Sequence, residues 1–393
     1  MQLEAPLVAL CSASFVLYAT TLVGFAWGWR RRRPPPVLER APRVSILKPL
    51  AGGDDELQAN LASFARLDYP SFEVLFGVAS PDDPAFAAAR AFVAAHPSVE
   101  ARVVLTDVDA AVNPKVAQLI GLERAASGEV VVVSDSNVRV DPAYLWTLVG
   151  ELGRPGIGLV SSLIAGTGES TLGAALENLQ LGAVIAPQVV AAAALAGRSP
   201  TIGKSMALRR RDLARLGGFG AVAGVLAEDH LLGRLAREAG LGIGLVLTPV
   251  ENRNVDCSLR RTLERHTRWA KLRRAIAPTA FALEPLLSPI TTCAVAFAIG
   301  PSRTTAALLG VALVTQTLLA HASLRVVRGA GLHWTYAPLE IVRALVLFGC
   351  WLGGWSSRRV SWRGHPFVLG ADSTIAPAPP RGRWRRGRSA ARA

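Results

Sequence analysis

The chain has 393 residues, 51% of them hydrophobic and only 18% charged, with a mean hydropathy of +0.33 and a formal net charge of +14. That apolar bulk is high for a soluble enzyme and points first to membrane segments, while four scattered cysteines indicate neither a zinc cluster nor a disulfide framework. The charge does not indicate a nucleic-acid partner: zinc-finger spacing and an aromatic RNA-binding signature are both missing from the sequence, and much of the excess lies beside apolar segments or in the tail PPRGRWRRGRSAARA, where anionic headgroups account for it.

Residues 5–29, APLVALCSASFVLYATTLVGFAWGW, carry no charge and are long enough to cross a bilayer. Lacking a basic leader and a small-residue cleavage site, they read as a retained anchor. Arg30 to Arg33 follow at once. A basic cluster beside a span marks the cytoplasmic side, which predicts an N-terminus outside and the next domain inside. Strands and helices then alternate. VSILKPL (44–50) reads as a strand, 54–66 has helical spacing, FEVLFGV (72–78) is a strand and 84–95 an alanine-rich helix. ARVVLT (101–106), a helix over 115–126 and the strand EVVVVSD (129–135) continue the pattern. The alternation predicts an α/β domain over 40–280 with a mostly parallel central sheet. GIGLVSSLIAG (156–166) reads as a further strand, and 171–197 and 227–240 as helices.

Beyond residue 280 the character changes, and 281–356 reads as a C-terminal membrane region. Residues 286–300 and 304–324 are expected to form a hairpin of two spans separated by PSR. Residues 337–355 are apolar but contain Glu340 and Arg343. Charges are costly at the bilayer centre, so this element either packs against protein or lies along the interface. Charge parity favours the interface, because another full crossing would leave the arginine-rich tail outside. Residues 370–393 are expected to be a basic, disordered tail.

Four stretches are candidates for chemistry. In EVVVVSDSNVRV, four β-branched residues form a strand buried on both faces, and Asp135 falls at its carboxyl end, where open α/β sheets bind ligands. A carboxylate there can hold Mg²⁺ or Mn²⁺ against a nucleotide diphosphate, with Asn137 as a weaker oxygen donor. An Asx-type turn explains the same cluster without function. GKS (203–205) fails as a phosphate loop, since Arg198 stands where the required glycine should be. In LAEDHLLGRLAREAG, Glu228 and Asp229 open a helix, either offsetting its dipole or supplying a general base. In RTLERHTRWAKLRR, Arg265, Arg268, Trp269, Arg273 and Arg274 suit a headgroup-facing helix or, equally, diphosphate oxygens.

Taken in order, VSILKPLAGGDDELQANLASFARLDYPSFEVLFGVASPDDPA, NPKVAQL, VVSDSNVRV, AEDH and RHTRW resemble the ceramide glucosyltransferase family, relatives of family 2 glycosyltransferases with a GT-A fold. The bacterial branch associated with hopanoid biosynthesis is the most similar. The likeness covers residues 44–285, with a weaker echo at VSWRG (360–364). It implies a GT-A nucleotide-sugar domain between N-terminal and C-terminal membrane helices, in the bacterial inner membrane with the catalytic domain cytoplasmic. The implied reaction is inverting transfer of one sugar from a UDP-sugar to a membrane-lipid hydroxyl. Its residues carry over as follows: Asp82 or Asp83 near the uridine, Lys115 on a phosphate, Asp135 on Mg²⁺ or Mn²⁺ with Asn137 departing from the usual second acid, and Asp229 as base. Arg265, Arg268 and Trp269 would serve the diphosphate and acceptor. The branch implies N-acetylglucosamine and a polyhydroxylated hopanoid; UDP-glucose and ceramide are the alternative. A polysaccharide synthase would need a translocation channel, for which the C-terminal apolar region is small, and a non-catalytic membrane protein would not need every acidic position filled.

Overall fold

Valines 130–133 offer no polar face to water, and the fold covers both of their faces. A computed structural model describes residues 3–379. The anchor forms α1 (Glu4–Arg30), and the alternating region follows as β1 (Val44–Pro49), α2 (Leu57–Ala62), β2 (Phe72–Val78), α3 (Pro84–Ala95), β3 (Ala101–Leu105), α4 (Pro114–Ala125) and β4 (Val130–Ser134). Then come β5 (Val138–Arg139), α5 (Tyr144–Leu152), β6 (Ile157–Thr167), α6 (Leu172–Gln180), α7 (Ala186–Ala196), β7 (Ser205–Arg209), α8 (Arg210–Arg215), α9 (Glu228–Glu238), β8 (Gly242–Arg253) and α10 (Leu259–Ile276).

The sheet runs β3-β2-β1-β4-β7-β6-β8-β5. Its first four strands are parallel, as expected, but β7 is antiparallel to both neighbours and β5 pairs antiparallel with β8. The sheet is therefore mixed, with parallel pairs in a slight majority. Side chains alternate between its faces. Ile46, Val74, Phe76 and Val132 enter a core with α5, whereas Leu47, Leu75, Val131 and Val133 meet Leu119 and Leu122 of α4 on the other side. The glycine-laden β8 was not foreseen, and the helix expected over 54–66 is only α2 followed by a 3₁₀ turn at Ser63–Arg66.

Long apolar helices are not confined to the two ends of the chain, which corrects the expectation. Glu4–Arg30, Leu172–Ala196, Arg303–Arg328 and Leu339–Ser356 are each long and apolar enough to cross a bilayer. The second joins α6 and α7 through a π-helical turn at Leu181–Ile185 and packs along α1. Gly24 and Gly28 make that contact close: a Cβ on Gly24 would lie 2.6 Å from Leu195 Cδ1, and one on Gly28 would lie 2.8 Å from Val190 Cγ1. Small residues four apart let two helices approach in this way. Gly28→Ile is expected to cost about 1–3 kcal/mol by overpacking this seam, read as a lower melting temperature in detergent; an unchanged melt would show that α1 does not need it.

The first arm of the expected hairpin, residues 286–300, is part of a bent helix pair. After α11 (Pro278–Leu283), α12 (Pro289–Ile299) has 11 residues, and Pro278–Leu287 meets it at an 85° bend. At about 1.5 Å per residue α12 alone cannot cross a core about 30 Å thick. Pro285 and Pro289 withhold backbone donors at the bend and Ser288 caps the new helix. Then α13 (Arg303–Arg328) runs unbroken. In α14 (Leu339–Ser356) the two charges are met by protein, the reading that charge parity disfavoured. Arg343 Nη2 donates to Glu340 Oε1 at 2.6 Å, Gln316 Nε2 donates to the same oxygen at 2.7 Å, and Arg343 Nη1 donates to Gln180 at 2.5 Å.

The first part of the segment expected to be disordered is folded. β9 (Arg359–Trp362), β10 (His365–Leu369) and β11 (Ile375–Pro377) form an antiparallel sheet whose Val360, Phe367, Leu369 and Ile375 pack on Leu226. Residues from 380 onward, most of the expected disordered segment, lie outside the described residues.

Candidate active site

The carboxyl ends of β1 and β4 open onto a cavity of about 1230 Å³. Segments converging on it include the loop after β1, the start of α4, residues 135–137 between β4 and β5, residues 200–204 before β7, the first turn of α9, one face of α10, the α6–α7 stretch and the β9–β10 turn. Because β4 and β7 pair antiparallel with Ser134 opposite Ser205, Lys204 comes directly beside Asp135, whose amide donates to the Lys204 carbonyl at 3.1 Å.

Asp135 is gripped by two ammonium groups. Lys115 Nζ lies 2.7 Å from Oδ1 and Lys204 Nζ 3.2 Å from Oδ2. Burial opposes ionisation, but the two lysines outweigh it and hold the carboxyl well below the usual range. Lys115 also sits 2.7 Å from Glu228 Oε1. Burial works against its charge, yet Asp135 and Glu228 raise its pKa, and Asn113 caps its helix by accepting from the Lys115 amide. Glu228 is pushed up, first by burial, with Lys115 opposing and Asp229 adding to the rise. The Asp229 carboxylate accepts from Gly203 N at 2.7 Å and from His230 N at 2.8 Å. Beneath Asp135, Lys48 is fully buried, donates to the Asp135 carbonyl at 2.9 Å and lies 4.0 Å from the Phe64 ring centre. Burial pulls its pKa down to about 7 against the pull of Asp135.

On α10, Arg265 donates to Glu177 at 2.9 Å and His266 shares that buried carboxylate at 2.9 Å. Arg268 donates to the Ser361 carbonyl at 3.4 Å and lies 4.7 Å over Trp362; burial, with Arg265 adding to it, brings its pKa down to about 10. The β9–β10 turn closes the cleft. Arg363, at φ 48°, donates to the Ala51 carbonyl and lies 3.8 Å from Asp54, which accepts from Ser136.

Lys115, Asp135, Asn137, Asp229, Arg265, Arg268 and Trp269 therefore line one cavity. Asp82 and Asp83 do not. Asp82 is exposed, while Asp83 caps α3 and accepts from Gly52 N at 2.8 Å, bracing the loop after β1. The oxygen donors do not fit a resident divalent ion as they stand: each Asp135 oxygen faces an ammonium, and Asn137 Oδ1 accepts from Lys204 at 2.7 Å. Among the described residues no group of three or more His, Cys, Asp or Glu could hold a metal.

The model of glycosyl transferase family 21 matches residues 6–375. The chain belongs to glycosyl transferase family 21. Two ceramide glucosyltransferases of Caenorhabditis elegans are similar to it: number 1 is 28% identical over 293 residues, covering 73% of this chain and 62% of its own length, and number 3 is 26% identical, covering 69% and 60%. The chain thus spans about 60% of the length of these relatives. A mannosyltransferase from Pyrobaculum calidifontis, solved with GDP-Man and Mn²⁺, shares the GT-A-like fold: TM-score 0.54 and 20% identity, over 88% of this chain and 99% of that one.

Several residues in or beneath this cavity had no place in the sequence reading. Lys48, a charge inside an apolar strand, was a signal that could have been used. Lys204 was set aside with the failed phosphate loop. Glu177, in an alanine-rich helix, and Arg363, more than a hundred residues beyond β8, carried no local signal, since only the tertiary fold brings them in.

Proposed function

We propose that this family 21 chain is an inverting lipid glycosyltransferase that moves one sugar from a UDP-sugar to a membrane-lipid hydroxyl, with glucose and ceramide as the favoured pair. The single observation that carries the reading is the mixed lining of the cavity. Asp229, Lys115 and Lys204 line it alongside Ile164, Leu181, Ile185 and Val189, so a charged donor and an apolar acceptor can meet there. Two of those apolar residues belong to the π-helical turn of a bilayer-length helix. The names of the Caenorhabditis elegans relatives, both ceramide glucosyltransferases, support ceramide over the hopanoid pair implied by the sequence.

In this reading Asp229 accepts the acceptor's proton as its oxygen attacks the anomeric carbon, and the sugar's bond to UDP breaks with inversion. Cationic side chains in the cavity meet the charge that develops on departing UDP. Arg265 and Arg268 serve the diphosphate, Trp269 the acceptor side, and Asp83, with Asp82 beside it, shapes the uridine side through Gly52. No step is routed through Mg²⁺ or Mn²⁺. Held at the membrane, the enzyme meets an insoluble acceptor locally.

Purified protein in detergent, given UDP-glucose, UDP-galactose and UDP-N-acetylglucosamine with ceramide and bacteriohopanetetrol, should yield glucosylceramide by mass spectrometry. Exclusive transfer of N-acetylglucosamine to the hopanoid would reverse the choice, and a long polymer would replace it with a polysaccharide synthase. The cleft is proposed to face the cytoplasm, as Arg30 to Arg33 indicate. Reporter fusions at residues 36 and 270 should both report that side; an external report from either overturns the topology.

A further inference from the structure

The sequence-level expectation was a divalent metal on Asp135, yet the folded site presents lysine nitrogens to both of its oxygens. Lys204 is the less expected of the two. It stands at the mouth of β7, 3.2 Å from Asp135 Oδ2 and 2.7 Å from Asn137 Oδ1, and it lines the cavity. Asn137 thereby spends its carbonyl oxygen on orienting an ammonium. Lys115, anchored by Asn113 and donating also to the Gly203 carbonyl at 3.1 Å, brings a second ammonium to the same carboxylate.

We propose that Lys204 is a diphosphate-binding residue of the donor site, and that with Lys115 it lets UDP bind without a divalent metal. The inference deepens the glycosyltransferase reading above and rests on it. Lys115 divides its charge between Asp135 and Glu228, whereas Lys204 meets one carboxylate, Asp135, and takes its other contact from the neutral Asn137. An ammonium has three donors, and Lys204 has one directed at Asp135 and one at Asn137, so a further donor is available for a phosphate oxygen. A dication seated on Asp135 would have to displace both lysines and then stand against their like charges at close range. The antiparallel register of β4 and β7 fixes this arrangement, because it holds the Lys204 backbone against the Asp135 amide. The cation is thus built into the sheet edge.

The test measures UDP and uridine affinity for detergent-purified wild type, Lys204→Met and Lys204→Arg, each in excess chelator and with Mn²⁺. Wild type is expected to bind UDP with no more than about a threefold difference between the two conditions. Lys204→Met should weaken UDP binding in chelator by about tenfold or more and leave uridine binding unchanged, since uridine has no phosphate; this also shows that the variant is folded. Lys204→Arg, which keeps the charge, should stay within about threefold of wild type. Loss of wild-type UDP binding in chelator alone overturns this inference and leaves the transferase reading standing. Lys204→Met binding UDP in chelator within twofold of wild type overturns it as well. If wild type binds no UDP under either condition, the parent reading falls and takes this inference with it.

Discussion

Asp229→Asn is expected to lower the rate of sugar transfer by about 10²-fold or more at saturating donor while UDP affinity is largely kept. Asparagine matches aspartate in size but cannot take a proton from an acceptor hydroxyl at neutral pH. The competing account is structural. Asp229 lies in the first turn of α9 and accepts from the amides of Gly203 and His230, so it serves the helix dipole and ties down the loop that carries Lys204. A role of that kind alone would cost about 1 kcal/mol of stability and leave turnover mostly intact. Transfer rate, UDP affinity and a thermal melt on the same preparation separate the two. Should the folded variant transfer sugar within about threefold of wild type, Asp229 is not the base. Glu228, the adjacent carboxylate bound to Lys115, becomes the next candidate.

Glu177→Gln is expected to be the most destabilising conservative change in the cavity wall. Glu177 is buried and its two oxygens are divided between Arg265 and His266, each at 2.9 Å. Removing the anion leaves Arg265 without its carboxylate partner, and breaking a buried pair from one side costs about 3–5 kcal/mol. Arg265 should lose its set position, so UDP affinity is expected to fall with stability. The double variant Glu177→Gln with Arg265→Met distinguishes pairing from shape, because removing both partners should recover part of the lost stability. A melt for Glu177→Gln within about 1 kcal/mol of wild type would mean that the pair is not strongly coupled.

The sequence revealed those parts of the molecule whose cause is local. The four valines made β4 plain, the alternation up to residue 135 made the parallel half of the sheet plain, and the uncharged run before Arg30 made α1 plain. Pairing between distant segments was not legible in the same way. β7 slips antiparallel between β4 and β6, and no pattern within SMALR states which strands it joins. At α14 the sequence left two readings, and the contacts of Glu340 and Arg343 with Gln316 and Gln180 from other helices match the one that charge parity disfavoured. At the cavity, Asp135, Asp229 and the α10 arginines were found because each stood in a stretch with its own chemical logic. Asp82 and Asp83 came from the family resemblance alone, and in the fold Asp83 caps α3 while Asp82 is exposed. Lys204 was misjudged because the question asked of it concerned a phosphate loop, and a lysine at a strand mouth needs none.

The β9–β10 turn has a further meaning in time. A chain is made from its N-terminus, so residues 44–280 leave the ribosome before the turn that shuts their cleft, and domains begin to fold in that order. The bond from Arg363 to the Ala51 carbonyl joins positions 312 residues apart. Between them lie the bent helix pair, α13 and α14. A nascent transferase domain consequently waits with an open mouth until those apolar helices have been housed, and the cleft is closed only in chains whose synthesis has run to the end of the apolar region.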